Sequence, residues 1–176
     1  FESAALCRDR LKALTFIQGS QAVNATGVSD ADIFALAEKG GQVCIQAFFI
    51  RAGQNWGHRS FFPAHVKDVD ADEVMLSFLA QFYEEVPPAR LILLDRELKE
   101  VELLTELLSE RAGGKVTITV PQRGERAKLM RQAERNAVEA MDRKLAESSS
   151  QAKLLADLAE VFELDGPPDR IEIYDN

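Results

Sequence analysis

Residues 42–51, Gln-Val-Cys-Ile-Gln-Ala-Phe-Phe-Ile-Arg, constrain the fold of this chain more than any other segment. Successive side chains alternate across a strand. Val43, Ile45, Ala47 and Phe49 therefore share one side of an extended backbone, and Cys44, Phe48 and Ile50 make the other side largely apolar too. A strand apolar on both sides needs cover above and below, which makes it central in its sheet. Lys39-Gly40-Gly41 before it and Ala52 to Gly57 after it are rich in residues that tolerate positive φ. Asp32–Glu38, Gln42–Arg51 and His58–Pro63 are thus read as three strands of an antiparallel meander. Trp56 falls in the second turn, where it caps the edge of the core or presents a stacking face; the first is the expectation.

The rest of the body alternates helix and strand. Asp70, with Glu73 three residues on, starts a helix running to about Glu85 with Val74, Phe78, Leu79, Phe82 and Tyr83 in its buried stripe; Pro87-Pro88 ends it. Arg90–Leu94 has strand length, Glu97–Ala112 is a leucine-bearing helix closed by Gly113-Gly114, and Lys115–Val120 alternates as a strand up to Pro121. A helix follows from Glu125 to about Ala146, with Leu129, Ala133, Asn136, Ala137, Ala140 and Met141 along one side. Ser148-Ser149-Ser150 is expected to interrupt it before a second helix, Gln151–Phe162. The predicted fold class is α/β: a mixed sheet of about five strands in the order βββαβαβα, the order of ribonuclease H-like folds, with crossovers that make the later strands parallel. A helix, Phe1–Leu14, precedes the body. The chain divides into residues 1–17, a polar linker 18–29, the body 30–166, and 167–176, where Arg170–Tyr174 opens a further strand.

Charge and cysteines limit the chemistry. No stretch approaches the roughly 20 apolar residues of a membrane span, so no membrane role is expected. The net charge of −8 argues against indiscriminate coating of nucleic acid. Its distribution is uneven: residues 65–110 hold four Lys/Arg against twelve Asp/Glu, and residues 121–153 hold eight against five. Cys7 and Cys44 are isolated from each other and from any histidine cluster, which suits a reducing cytoplasm and disfavours zinc. The chain opens on Phe with no leader and stops abruptly after an apolar run, so it is read as a piece of a longer protein.

Ribonuclease H-type nucleases hold two divalent metals between carboxylates from the middle of the first strand, the end of the fourth, and helices. The fourth strand does end in Asp95, but the middle of the first carries Phe34, Ala35 and Leu36, so Asp95 is read as a strand-end residue. His58 and His65 lack a third ligand, and Asp68, Asp70, Asp72 and Glu73 fit a helix start better than a calcium loop, lacking its glycine and closing glutamate. Pro121-Gln122-Arg123-Gly124 leads into a helix bearing Arg126, Lys128, Arg131 and Arg135. Such a helix either offers phosphate contacts or is a solvated face partnered by Glu125, Glu134 and Glu139. Asn136, on the apolar side, needs a polar partner.

Several segments taken in order resemble the UvrC family. Phe1, Glu2, Ala4 and Ala5 with Arg8, Asp9 and Leu11 resemble the second helix of the UVR motif. Phe49-Ile50-Arg51, Gly53, Gly57, Arg59, Phe61, Phe62, Pro63, Phe82-Tyr83, Pro121-Gln122-Arg123-Gly124, Ala133, Asn136 and Ala137 resemble the family's middle region. Arg170-Ile171-Glu172-Ile173-Tyr174-Asp175 is similar to the opening strand of its C-terminal endonuclease domain. The resemblance implies nucleotide excision repair: association with UvrB through the UVR helix, and dual incision around a lesion in double-stranded DNA. It also implies a divalent metal, Mg or Mn, in the whole protein. Asp175 matches the first catalytic, metal-binding aspartate of the endonuclease domain, whose other residues lie beyond Asn176. The chain alone is expected to hold no metal and to act as a non-catalytic body, with Arg123, Arg126, Lys128, Arg131 and Arg135 touching DNA. The alternative is a stand-alone cytosolic protein-interaction domain whose basic helix pairs with the acidic middle.

Overall fold

The computed structural model describes residues 28–172 other than 65, 67, 68 and 169. The helix at Phe1–Leu14 and Asp175 lie outside the described residues. Strands β1 (Ala31–Lys39), β2 (Gln42–Arg51) and β3 (Gln54–Phe61) form the meander, followed by α1 (Ala71–Glu85), β4 (Leu91–Leu94), α2 (Val101–Arg111), β5 (Thr117–Thr119) and α3 (Gly124–Val161). The five strands make one mixed sheet in the order β3-β2-β1-β4-β5. β1 pairs antiparallel with β2 and parallel with β4, and β4 pairs parallel with β5. The predicted α/β class, strand count and order of elements in the body match this arrangement.

Alternation along the strands sorts the core into two layers. Phe34, Leu36, Val43, Ile45 and Ala47 meet Val74, Met75, Leu79 and Tyr83 of α1 and Leu104 and Leu108 of α2. Ala31, Ile33, Ala35, Phe48 and Ile50 face the other way onto Leu129, Met130 and Ala133 of α3, and Cys44 meets Ala140 and Met141. β2 is therefore covered on both sides, as its composition requires. Phe34 anchors the first layer, with its ring edge-on to those of Phe78, Phe82 and Tyr83 at 6.0, 5.5 and 6.0 Å. Each such pair adds about 0.5–1.5 kcal/mol beyond burial. Asp70 caps α1 by accepting from the backbone N–H of Asp72 at 3.1 Å, and this bond, with Lys99 nearby, holds its carboxyl below the usual range.

Four sequence expectations need correction. β3 begins at Gln54 rather than His58, because Ala52 and Gly53, at φ 51° and 72°, complete the hairpin turn in two residues. Trp56 therefore lies in the strand. Ser148–Ser150 do not interrupt α3, which runs unbroken for 38 residues. Serine costs a helix only a few tenths of a kcal/mol against alanine, and no glycine or proline occurs between Gly124 and Gly166. α2 begins at Val101 rather than Glu97, since Arg96 is tied back to β1. Residues 170–172 are not in a strand.

Candidate functional site

At the C-terminal end of β4 the fold puts Asp95 next to β1, and its partners define what it can do. Its Oδ2 accepts from the backbone N–H of Leu36 at 2.9 Å. Arg96 grips both carboxylate oxygens at 3.0 Å through Nε and Nη2, and donates to the carbonyl of Leu36 at 3.1 Å. The side chains of Asp95 and Arg96 are only 6% and 27% exposed. The hydrogen bond to Asp95 holds Arg96 still more firmly in its charged form. Where a two-metal site would need a second acid on β1, Phe34, Ala35 and Leu36 are buried in apolar layers. Among the described residues no group of three His, Cys, Asp or Glu is placed to hold a metal ion. The donor set around Asp95 thus does not fit a divalent pair: a guanidinium and a backbone N–H already satisfy the carboxylate.

Asp32 is the polar residue that sequence reasoning missed. It is fully buried near the start of β1, and its Oδ2 accepts from the hydroxyl of Tyr83 at 2.9 Å and from the N–H of Ala89 at 3.2 Å. Its Oδ1 has no aligned hydrogen bond; its partner is the charge of Arg51, whose Nη2 lies 2.7 Å away. Arg51 also donates to the carbonyls of Ala31 and Ile50, and the carbonyl of Tyr83 accepts from Arg111. Burial, then the Asp32 charge and hydrogen bond, push the Tyr83 hydroxyl well above the usual tyrosine range. Asp32 is level with Ile92, three residues short of Asp95, a backbone offset of about 10 Å along the strands. Each is satisfied locally. The available signal was an acid inside an apolar run, which demands a partner.

The basic helix divides differently from its sequence. Lys128, Arg131 and Arg135 recur at three- and four-residue steps on the exposed side of α3, opposite Leu129, Ala133, Ala137 and Met141. Arg126 is on the sheet-side register of the first turn and Arg123 is the residue before the helix; both are exposed. Among the described residues only Lys128 of these five has an ion-pair partner, Glu125 at 2.6 Å. The acidic stretch forms α1 and α2, on the other side of the sheet from α3. Pairing of the basic helix with the acidic middle is therefore blocked by the sheet itself.

The other candidates are placed individually. Trp56 is 63% exposed rather than capping the core, His58 is exposed on β3, and Asn136 is half-buried. His65 lies outside the described residues. Burial pushes the Cys44 thiol up to about 11, with the Arg143 charge opposing. In a Cys7→Ser variant, Cys44 is expected to react with a disulfide reagent at pH 8 at least tenfold more slowly than after unfolding, because the thiolate is the nucleophile. Equal rates would contradict its placement against Ala140 and Met141.

Comparison with known proteins gives a consistent result. The family model "UvrC Ribonuclease H-like domain" matches residues 30–144. The chain is 69% identical over all 176 residues to "UvrABC system protein C" of Sphingopyxis alaskensis and 68% identical to that of Novosphingobium aromaticivorans, spanning 27% of each. It thus covers about a quarter of the length of these curated relatives. A solved Bacteroides thetaiotaomicron protein with an actin-like ATPase fold is similar at 14% identity and a TM-score of 0.35, over 67% of this chain and 40% of that one, which is too weak to carry an inference. With most of the body inside the matched range and identity sustained along the whole chain, this chain belongs to the UvrC ribonuclease H-like domain family.

Proposed function

We propose that this chain is the middle body of a nucleotide-excision-repair subunit, acting as a scaffold between the UvrB-binding and incising parts of a cytoplasmic protein. The observation that carries the reading is the high identity along all 176 residues to proteins named UvrABC system protein C. In this reading residues 30–166 are the non-catalytic domain. Phe1, Glu2, Ala4, Ala5, Arg8, Asp9 and Leu11 contact UvrB, and Asp175 supplies the first carboxylate of the following endonuclease, which uses Mg or Mn when complete. The closed Asp95–Arg96–Leu36 arrangement supports a body without nuclease chemistry of its own. Lys128, Arg131 and Arg135 touch DNA phosphates from the outer side of α3, with Arg123 and Arg126 flanking at its start.

Changing Lys128, Arg131 and Arg135 together to alanine is expected to weaken duplex binding at least tenfold at low salt, for every sequence tested. The slope of log K against log salt should become shallower by about two to three, near one for each phosphate no longer neutralised. An unchanged slope in a titration from 50 to 200 mM salt would reject a phosphate-binding role for these three side chains.

A further inference from the structure

We propose that the outer edge of the sheet, β3 with the facing middle of α3, is a binding site for single-stranded nucleic acid. The proposal deepens the reading above and rests on it, but uses none of the residues assigned there. No Asp or Glu occurs from Lys39 to Lys67, a run of 29 residues in a chain that otherwise has one acid in about every five. This acid-free run contains the β2–β3 hairpin. β3 is an edge strand, and a bulge interrupts its pairing: Phe49 is opposite Gly57 and Ile50 is opposite Asn55, leaving Trp56 as the extra residue. Bulges re-aim side chains, and Trp56 is 63% exposed on this rim.

Further along the same edge His58 is exposed, and Ser60 and Phe62 line a cleft of about 130 Å³ with Arg143 and Lys144 of α3. Lys144 Nζ stands 5.8 Å from the centre of the Phe62 ring, which is 41% exposed. Glu147 is the acid on the rim. Exposed aromatic faces beside guanidinium and ammonium groups are what unpaired bases and their phosphates require. Alternate residues of a strand are about 6.6 Å apart. That spacing suits an extended single strand and not the about 3.4 Å stacking of a duplex.

Trp56 is the only tryptophan of the chain, so its fluorescence reports on this edge. Titration of the 176-residue chain with a twelve-nucleotide oligothymidylate at 50 mM salt is expected to quench its emission saturably. Phe62→Ala and the double change Arg143→Ala, Lys144→Ala should each raise the half-saturation concentration about tenfold. These side chains are exposed, and circular dichroism checks that the variants remain folded. Emission unmoved by the oligonucleotide would overturn the proposal, as would equal quenching by a twelve-base-pair duplex or by phosphatidylserine vesicles. The outer face of α3 is tested separately: a Lys128, Arg131, Arg135 variant that loses duplex affinity while oligothymidylate leaves Trp56 unmoved would sink this site and leave the scaffold reading intact.

Discussion

Replacing Asp32 by alanine is expected to lower the thermal midpoint of this chain by about 10 °C, from a loss of roughly 3–4 kcal/mol at about 2–4 °C per kcal/mol. The carboxylate accepts from two donors, the Tyr83 hydroxyl on α1 and the Ala89 N–H before β4, and faces the charge of Arg51 at the end of β2. Its removal leaves a buried hydroxyl and a backbone N–H unmatched, at about 1–3 kcal/mol each. The Arg51 side chain is 29% exposed, so water relieves part of the cost of its stranded charge and the figure stays below the sum of the separate losses. Asp32→Asn keeps an acceptor for Tyr83 and should fall between wild type and alanine. Tyr83→Phe should cost only about 1 kcal/mol, one hydrogen bond's net worth. A midpoint within 3 °C of wild type for Asp32→Ala would mean that this carboxylate does not hold α1 and β4 against β1.

The second large effect concerns Asp95. Asp95→Ala is expected to cost about 2–3 kcal/mol, because the N–H of Leu36 loses its acceptor and Arg96 its bidentate partner. The sign separates two roles. A carboxylate kept for metal binding is strained or repelled without its ion, and its removal leaves the protein as stable or more so. A carboxylate that closes a strand end destabilises when lost. Magnesium at 10 mM should leave the midpoint of the wild-type chain unchanged, since a ligand stabilises only what it binds. A Tm that rises in Asp95→Ala, or rises with magnesium in the wild type and not in the variant, would return Asp95 to metal chemistry.

Much of the fold is legible in local pattern, and the reasons are specific. The two-sided apolar character of Gln42–Arg51 forces a covered central strand. Asp70, the proline pair at 87–88 and Gly113-Gly114 punctuate α1 and α2 with residues whose backbone preferences act locally. What escapes a sequence reading depends on partners distant in the chain. Asp32 looks like any strand acid until Tyr83, 51 residues away, is seen to reach it. Trp56 reads as a turn residue because residues 52–57 are rich in turn formers, yet two of them suffice for the hairpin, and Gln54, Asn55 and Gly57 pair with β2 around the bulged Trp56. Ser148–Ser150 suggest a break because serine favours caps, but flanking helix formers outweigh that weak preference. The basic residues of α3 are legible as a group. Their partition into an outer stripe of Lys128, Arg131 and Arg135 and a separate Arg126 follows only once the buried side of the helix is known.

The strand-end carboxylate poses the same difficulty. Asp95 at the end of the fourth strand fits both a nuclease and a scaffold, and composition does not separate them. The difference lies in one neighbour: Arg96 turns back onto Asp95 and the Leu36 carbonyl, filling with fixed positive charge the place a cation would need. The decisive assay is plasmid nicking by the purified 176-residue chain in magnesium or manganese, with Asp95→Asn alongside. Supercoiled DNA should remain intact with both proteins over the time that a working endonuclease needs to relax it. Nicking by the wild-type chain that disappears in Asp95→Asn would show that Asp95 serves chemistry and that the scaffold account is wrong.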